Sequence, residues 1–292
     1  MSKYPVFIIS KGRHDVCKTA IHFLQHDVDF KLVIEPQEFE LYKEHFDENI
    51  LIQTPFKNLG LGSIPVRNFV WEYSKKLGHK RHWVFDDNIR NTRYFWNGRR
   101  TQIDPNLAIS EIEKFVDRYE NIAIAGMNYS FFVNKSTTKK PFSLNNRVFS
   151  NLLIDNDLDV RWRGRYNEDT DLCLQVLSKG LCTVLFNTFL IDKQQTMSMK
   201  GGNADELYKG DGRLDMARDL ERVWPYVVRT TRKFNRPQHE IIRKSQQFDQ
   251  QLIRRKDIDW DNIEKEKTEL KIKQHDEIKN EYLKRAVDKY NE

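Results

Sequence analysis

Short, nearly unbroken apolar runs recur along the first two-thirds of the chain. They are Val6-Phe7-Ile8-Ile9, Lys31-Leu32-Val33-Ile34, Ile50-Leu51-Ile52, Trp83-Val84-Phe85, Ile122-Ala123-Ile124-Ala125 and Cys182-Thr183-Val184-Leu185-Phe186. Runs of this length without polar alternation fit strands buried on both faces. Between them the spacing turns helical. Over 16–24, Val16, Ala20, Ile21, Phe23 and Leu24 fall largely on one side of a helix. Further helices are predicted near 38–46, 65–77, 107–119 and 169–179. This alternation predicts an α/β fold, a mostly parallel sheet flanked by helices. We see no internal repeat and no low-complexity linker.

The pattern changes after about residue 215. From Arg229 onward glycine is absent, and apolar positions thin out to Ile241, Phe248, Leu252, Ile258, Trp260, Ile263, Leu270, Ile278 and Tyr282. Charge dominates, as in Ile253-Arg254-Arg255-Lys256. The expected organisation is an α/β domain over 1–214 and a charged helical extension over 215–292. A solvated helical tail without a specific role reads the same residues equally well.

Composition narrows the class. Of 292 residues, 39% are hydrophobic, enough to bury a core in one large domain. No apolar run approaches the ~20 residues needed to span a bilayer. Met1 to Ile9 reads as a first strand rather than a signal peptide. The three cysteines, Cys17, Cys173 and Cys182, are odd in number and lack metal-ligand spacing. A disulfide framework or zinc site is therefore not expected, and the cytoplasm is the default compartment. A net charge of +6 favours a polyanionic partner.

The sharpest chemical signal is Trp83-Val84-Phe85-Asp86-Asp87-Asn88, an apolar strand ending in three oxygen-bearing side chains. Ligands of open α/β sheets gather at the carboxyl ends of strands. Such oxygen donors suit Mg²⁺ or Mn²⁺, which can bridge a diphosphate. The plain alternative is an acidic turn capping a helix. Upstream, Ile8-Ile9-Ser10-Lys11-Gly12-Arg13 runs from a strand into a basic loop and then a helix. Glu35 ends a second strand, where it can accept bonds from a base or ribose. Leu59-Gly60-Leu61-Gly62-Ser63-Ile64-Pro65-Val66-Arg67-Asn68 is a glycine-rich loop opening a helix, with Arg67 and Asn68 in the first turn. Each piece also has an ordinary reading as a turn or helix start.

The order of these pieces resembles the nucleotide-sugar half of a GT-A-type (Rossmann-like) glycosyltransferase. In that superfamily a "DxD" element after the fourth strand holds the metal and the donor diphosphate. The resemblance places Asp86, Asp87 and Asn88 there, with Asp86 and Asn88 as ligands of Mn²⁺ or Mg²⁺ and Asn88 standing where a final Asp is usual. A second segment, Gly164-Arg165-Tyr166-Asn167-Glu168-Asp169-Thr170-Asp171, is similar to the superfamily's "ED" segment, whose acidic residue activates the acceptor hydroxyl. By that match Asp169 is the candidate base, with Glu168 next. Past the last strand, the Lys200, Gly201 and Gly202 of Met199-Lys200-Gly201-Gly202-Asn203 can contact the diphosphate.

Taken together over about residues 4–210, the set most resembles the TET-associated glycosyltransferases of bacteriophages, also found as a domain in a eukaryotic hormone-responsive protein. The resemblance implies a UDP-sugar donor and an acceptor of 5-hydroxymethylcytosine in phage DNA. Basic residues interleaved with aromatics are compatible with DNA: Arg93, Trp96 and Arg99 after the Asp-Asp-Asn element, and Trp162, Arg163 and Arg165 before the Glu-Asp segment. A base buried in a duplex must be flipped out to be reached. In the implied reaction Arg13, Arg67 and Lys200 offset phosphate charge while Asp169 activates the hydroxymethyl oxygen. Rival readings are a protein or glycan acceptor, a sugar nucleotidyltransferase, and a non-catalytic DNA-binding module.

Overall fold

The computed structural model of the chain describes residues 1–136, 138, 140–164, 166–194, 212–233, 235–242 and 248–266. The first strands are β1 (Val6–Ile9), β2 (Lys31–Ile34), β3 (Leu51–Gln53) and β4 (Arg81–Asp86). They pair in parallel in the order β3-β2-β1-β4. A hairpin follows, β5 (Ile89–Trp96) and β6 (Arg99–Gln102), and then β7 (Ile122–Tyr129), β8 (Phe142–Leu144), β9 (Asn151–Asp155) and β10 (Cys182–Lys193). The whole sheet has ten strands in the order β3-β2-β1-β4-β9-β7-β10-β5-β6, with β8 beside β10. Strands β5, β8 and β9 run against the rest.

The apolar runs are continuous because both faces are covered. Along β1, Val6 and Ile8 join one core while Phe7 and Ile9 join the other. The first core is completed by α1 (Lys18–Leu24), α2 (Phe39–Lys43) and α4 (Pro105–Val116), through Ala20, Phe23, Tyr42, Ile109 and Ile112. On the opposite face α3 (Ile64–Lys76) and α5 (Glu168–Ser178) supply Val70, Trp71, Leu172 and Val176. The α/β class and the flanked, mostly parallel sheet expected from the pattern are therefore present, and each strand and helix predicted before residue 215 is found with small shifts at its ends.

The C-terminal expectation needs correction. Compact chain runs from Met1 to Ile253, without a break at 214/215, and a second unit covers Arg254–Glu292. In the first unit α6 (Gly212–Val223) precedes an antiparallel hairpin, β11 (Val228–Lys233) and β12 (Arg236–Ile241), where helices were expected. The Thr230-Thr231 pair favours strand over helix, and Asn235 takes the left-handed turn conformation at φ 57°. Leu220, Val227 and Val228 pack on Leu174 of α5 in a small core of their own, so this segment belongs to the first unit. In the second unit, Trp260 donates Nε1–H to the Arg255 carbonyl at 2.9 Å. No helix among the described residues is long and apolar enough to cross a membrane.

Candidate active site

Parallel register brings the chemistry to one edge of the sheet. Ile9 pairs with Asp86 and with Val33, so β1, β2 and β4 end side by side, delivering Ser10, Glu35 and Asp86 together. The turn after β4 is tied down from α1. Thr19, fully buried, donates its hydroxyl to the Asp86 carbonyl at 2.6 Å and accepts from Ile89 N at 2.9 Å. Its amide donates to the Asp87 carbonyl at 3.2 Å. From the antiparallel neighbour β9, Ser150 O accepts from Asp86 N at 2.8 Å. Ser150 sits in the left-handed region at φ 64°. Such strain in a non-glycine residue persists where surrounding contacts over-determine it.

Asp86 and Asp87 are held by cations. Arg67 Nη2 donates to one Asp86 oxygen at 2.7 Å and Lys193 Nζ to the other at 2.7 Å. Burial alone would raise the Asp86 pKa, but Lys193 and Arg67 hold the carboxyl well below the usual range. Reciprocally, burial works against the Lys193 ammonium, and Asp86 outweighs it, raising the lysine. Asp87 is ion-paired with Arg13 and accepts from Ser10 Oγ at 2.8 Å. Burial pushes the Asp87 carboxyl up against the pull of Arg13. Lys193 lies at the end of β10, where the pairing with β5 shifts register and leaves Arg90 of β5 as the extra residue.

These residues open onto a cavity of about 1020 Å³. Its wall includes Ser10, Lys11, Arg13, Glu35, Gly62, Arg67, the Asp86-Asp87-Asn88 turn and Lys193. The first turn of α5 adds Glu168 and Asp169. Asn167, before α5, adopts a left-handed φ of 54° and donates Nδ2–H to the Met216 carbonyl at 2.8 Å, fixing where the helix begins. Glu168 accepts from Ser63 Oγ at 3.0 Å and lies 3.9 Å from Arg67 Nε. Burial raises the Glu168 pKa, Arg67 opposes it, and the Asp169 charge adds to the rise. Asp169 accepts from Thr170 N at 2.7 Å. Phe132, Phe149 and Arg147 line another part of the wall, with Arg236 and His239 of β12.

A strand edge rich in basic side chains and a pair of helix-borne carboxylates share one cavity, and the sequence comparison says which family builds it. The profile of the TET-associated glycosyltransferases matches residues 4–202. The chain belongs to the TET-associated glycosyltransferase family. No curated protein matches it. Among solved structures, a protein described as a nucleotide-diphospho-sugar transferase from Desulfovibrio desulfuricans is 10% identical, over 64% of this chain and 80% of that one, at a TM-score of 0.37. A mannose-6-phosphate isomerase from Helicobacter pylori is 10% identical, over 87% and 94%, at 0.30. Likenesses this low carry no argument.

In this glycosyltransferase, most of the donor-side residues singled out by sequence meet on the cavity: Ser10, Lys11, Arg13, Glu35, Gly62, Arg67, Asp86, Asp87 and Asn88, with Glu168 and Asp169. Lys11 pairs with Glu35 at 3.1 Å, and Glu35 also accepts from Asn58 N at 2.7 Å. Asn68 is elsewhere: both ends of its amide bond the Trp162 backbone, at 2.9 and 3.1 Å. Trp162 is buried beneath the Arg67 guanidinium at 4.6 Å. Arg93 pairs with Asp192, and Arg163 with Asp171 at 2.9 Å. Trp96 and Arg99 are exposed on the β5–β6 hairpin. None of these six predicted residues, Asn68, Trp162, Arg93, Arg163, Trp96 and Arg99, lines the cavity. Arg165, Lys200, Gly201 and Gly202 lie outside the described residues. Missed by sequence reasoning were Lys193, Ser150, Phe132, Arg147 and His239 of β12.

The donor set does not fit the implied Mg²⁺ or Mn²⁺ as it stands. Both Asp86 oxygens hold a cationic partner, and Asp87 is committed to Arg13 and Ser10. Asn88 Oδ1 is buried without a partner among the described residues, a single neutral oxygen. No cluster of three or more His, Cys, Asp or Glu side chains suited to a metal occurs among those residues.

Proposed function

We propose that the protein transfers a sugar from a nucleotide-sugar donor, a UDP-sugar, to the hydroxymethyl group of 5-hydroxymethylcytosine in DNA. The observation that carries this reading is the sharing of one cavity by two groups. The cationic Arg67–Asp86–Lys193 cluster lies on the sheet edge, and Glu168 and Asp169 lie at the start of α5. Diphosphate leaving groups need fixed positive charge, and an acceptor hydroxyl needs a carboxylate to take its proton.

Asp169 removes the proton of the acceptor hydroxyl as that oxygen bonds to the anomeric carbon. The bond from that carbon to the phosphate oxygen breaks, and its electron pair leaves with the nucleoside diphosphate. Arg67 meets the departing charge. Glu35, Lys11 and the Asn58 amide form a polar end to the strand edge suited to the nucleoside.

The DNA acceptor is supported by another part of the wall. Phe132 is 53% exposed and stacks on Tyr129, with ring centroids 5.8 Å apart, while Phe131 lies 4.3 Å from it. Arg147 and Arg236 lie on the same cavity. An exposed aromatic beside cations suits an unstacked base and its flanking phosphates. Mass spectrometry of nucleosides from 5-hydroxymethylcytosine DNA, after incubation with a panel of UDP-sugars, tests the proposal. A hexose or N-acetylhexosamine mass gain is expected. Release of nucleoside diphosphate without that gain would move the acceptor to a protein or glycan.

A further inference from the structure

We infer that Lys193, side by side with Arg67, does at the donor diphosphate what a divalent cation would do, so that donor binding and sugar transfer proceed without a metal ion. The inference rests on the nucleotide-sugar reading above and deepens it. In this arrangement Asp86 is the counter-ion that positions two cations rather than a metal ligand.

Four observations converge on it. First, the Lys193 side chain is only 12% exposed, yet it lines the cavity. Its ammonium is held by Asp86 Oδ2 at 2.7 Å and Ser150 Oγ at 2.6 Å, 5.7 Å from the Tyr129 ring centre. A long side chain fixed on several sides is preorganised, which is what makes a charge useful to a transition state. Second, the holding shell is itself built: Tyr129 and Ser150 share a 2.6 Å hydrogen bond. Third, Arg67 is 5% exposed, and its Nη1 is buried with no partner among the described residues. An unpaired guanidinium donor at a cavity wall is completed by an anionic oxygen. Fourth, a dication reaching Asp86 would meet the Lys193 and Arg67 charges already there, and like charges at such range repel.

When the anomeric carbon–oxygen bond breaks, the electron pair passes to the phosphate oxygen. Lys193 and Arg67 then neutralise it in place, with no proton transfer required. Arg67 presents the free Nη1 donor and Lys193 the compact charge beside it.

Calorimetric titration of the full chain with UDP, GDP and dTDP in turn, in excess EDTA and again with Mn²⁺, decides the matter. The expected result is that one nucleotide binds with the same affinity in both conditions, and that transfer survives EDTA. Lys193→Met should weaken that affinity and slow transfer by about 10²-fold. Lys193→Arg should retain most of both. Binding that vanishes in EDTA and returns with Mn²⁺ overturns the inference while leaving the nucleotide-sugar reading intact. No binding in either condition overturns both. Should Lys193→Met fail to fold, as judged by its thermal melt, the wild-type comparison with and without EDTA still decides.

Discussion

Two carboxylate pairs face one cavity, and they are built in opposite ways. Asp86 and Asp87 end a strand, and each is matched by basic partners: Arg67 and Lys193 for the first, Arg13 for the second. Glu168 and Asp169 open a helix, with Ser63 and Thr170 hydroxyl and amide groups as near partners and Arg67 no closer than 3.9 Å. Charge compensation lowers the Asp86 pKa, and burial raises that of Glu168. The difference separates two jobs. A carboxylate locked between cations positions positive charge and keeps its own ionised. A carboxylate with weaker compensation can exchange a proton with a substrate.

Removing Asp86 breaks the first arrangement most severely. Asp86→Ala leaves Lys193 and Arg67 without their shared counter-ion, in side chains only 12% and 6% exposed. Losing one member of a buried ion pair costs roughly 3–5 kcal/mol. Urea denaturation should show that loss, together with loss of nucleoside diphosphate binding. A variant as stable as the parent would mean that Asp86 does not organise the two cations. Asp169→Asn acts on the second pair and should do the reverse. Stability and nucleotide affinity stay close to the parent, while turnover falls by about 10²-fold or more, as for loss of a general base. Near-normal turnover would shift the base to Glu168 or to another cavity group such as His239.

How far the sequence foretold this contrast depended on the distance over which each signal acts. Asp86-Asp87 was legible because an apolar strand runs directly into it, and Glu168-Asp169 because acidic residues open a helix. The parallel half of the sheet was readable for the same reason: burial on both faces writes itself into consecutive apolar residues. Lys193 was not legible. Its role arises from the end of β10 meeting the end of β4 across two intervening strands, which leaves no local mark. The Asn97-Gly98 pair was a local hairpin signal that went unused, and it makes the β5–β6 turn at φ 48° and 81°. With that hairpin at the far edge of the sheet, Trp96 and Arg99 lie off the cavity. Trp162 and Asn68 looked chemical in sequence, but each satisfies the other's backbone or amide. Glycine-free charge after Arg229 suggested helices, while the Thr-rich strand pair there puts Arg236 and His239 on the cavity wall.

The subtlest way to sharpen the comparison is its pH dependence. Glu168 has an ordinary value of 4.5 when unfolded and a raised one when folded. Below 4.5 both states hold the proton, and this group adds no pH dependence. As pH climbs through the raised folded value, the unfolded chain has already released the proton and the folded chain gives it up at a cost. Stability from Glu168 is therefore lost as pH rises. Asp86, depressed by its cations, has the opposite sign: its contribution is present above its ordinary 3.8 and is lost as pH falls. Glu168→Gln keeps an oxygen for Ser63 but cannot ionise. Its stability relative to the parent should therefore grow from acidic to neutral pH in denaturant titrations. A gap that stays flat across that range would mean that the Glu168 proton is not held by burial, and the two pairs would then differ in position but not in charge.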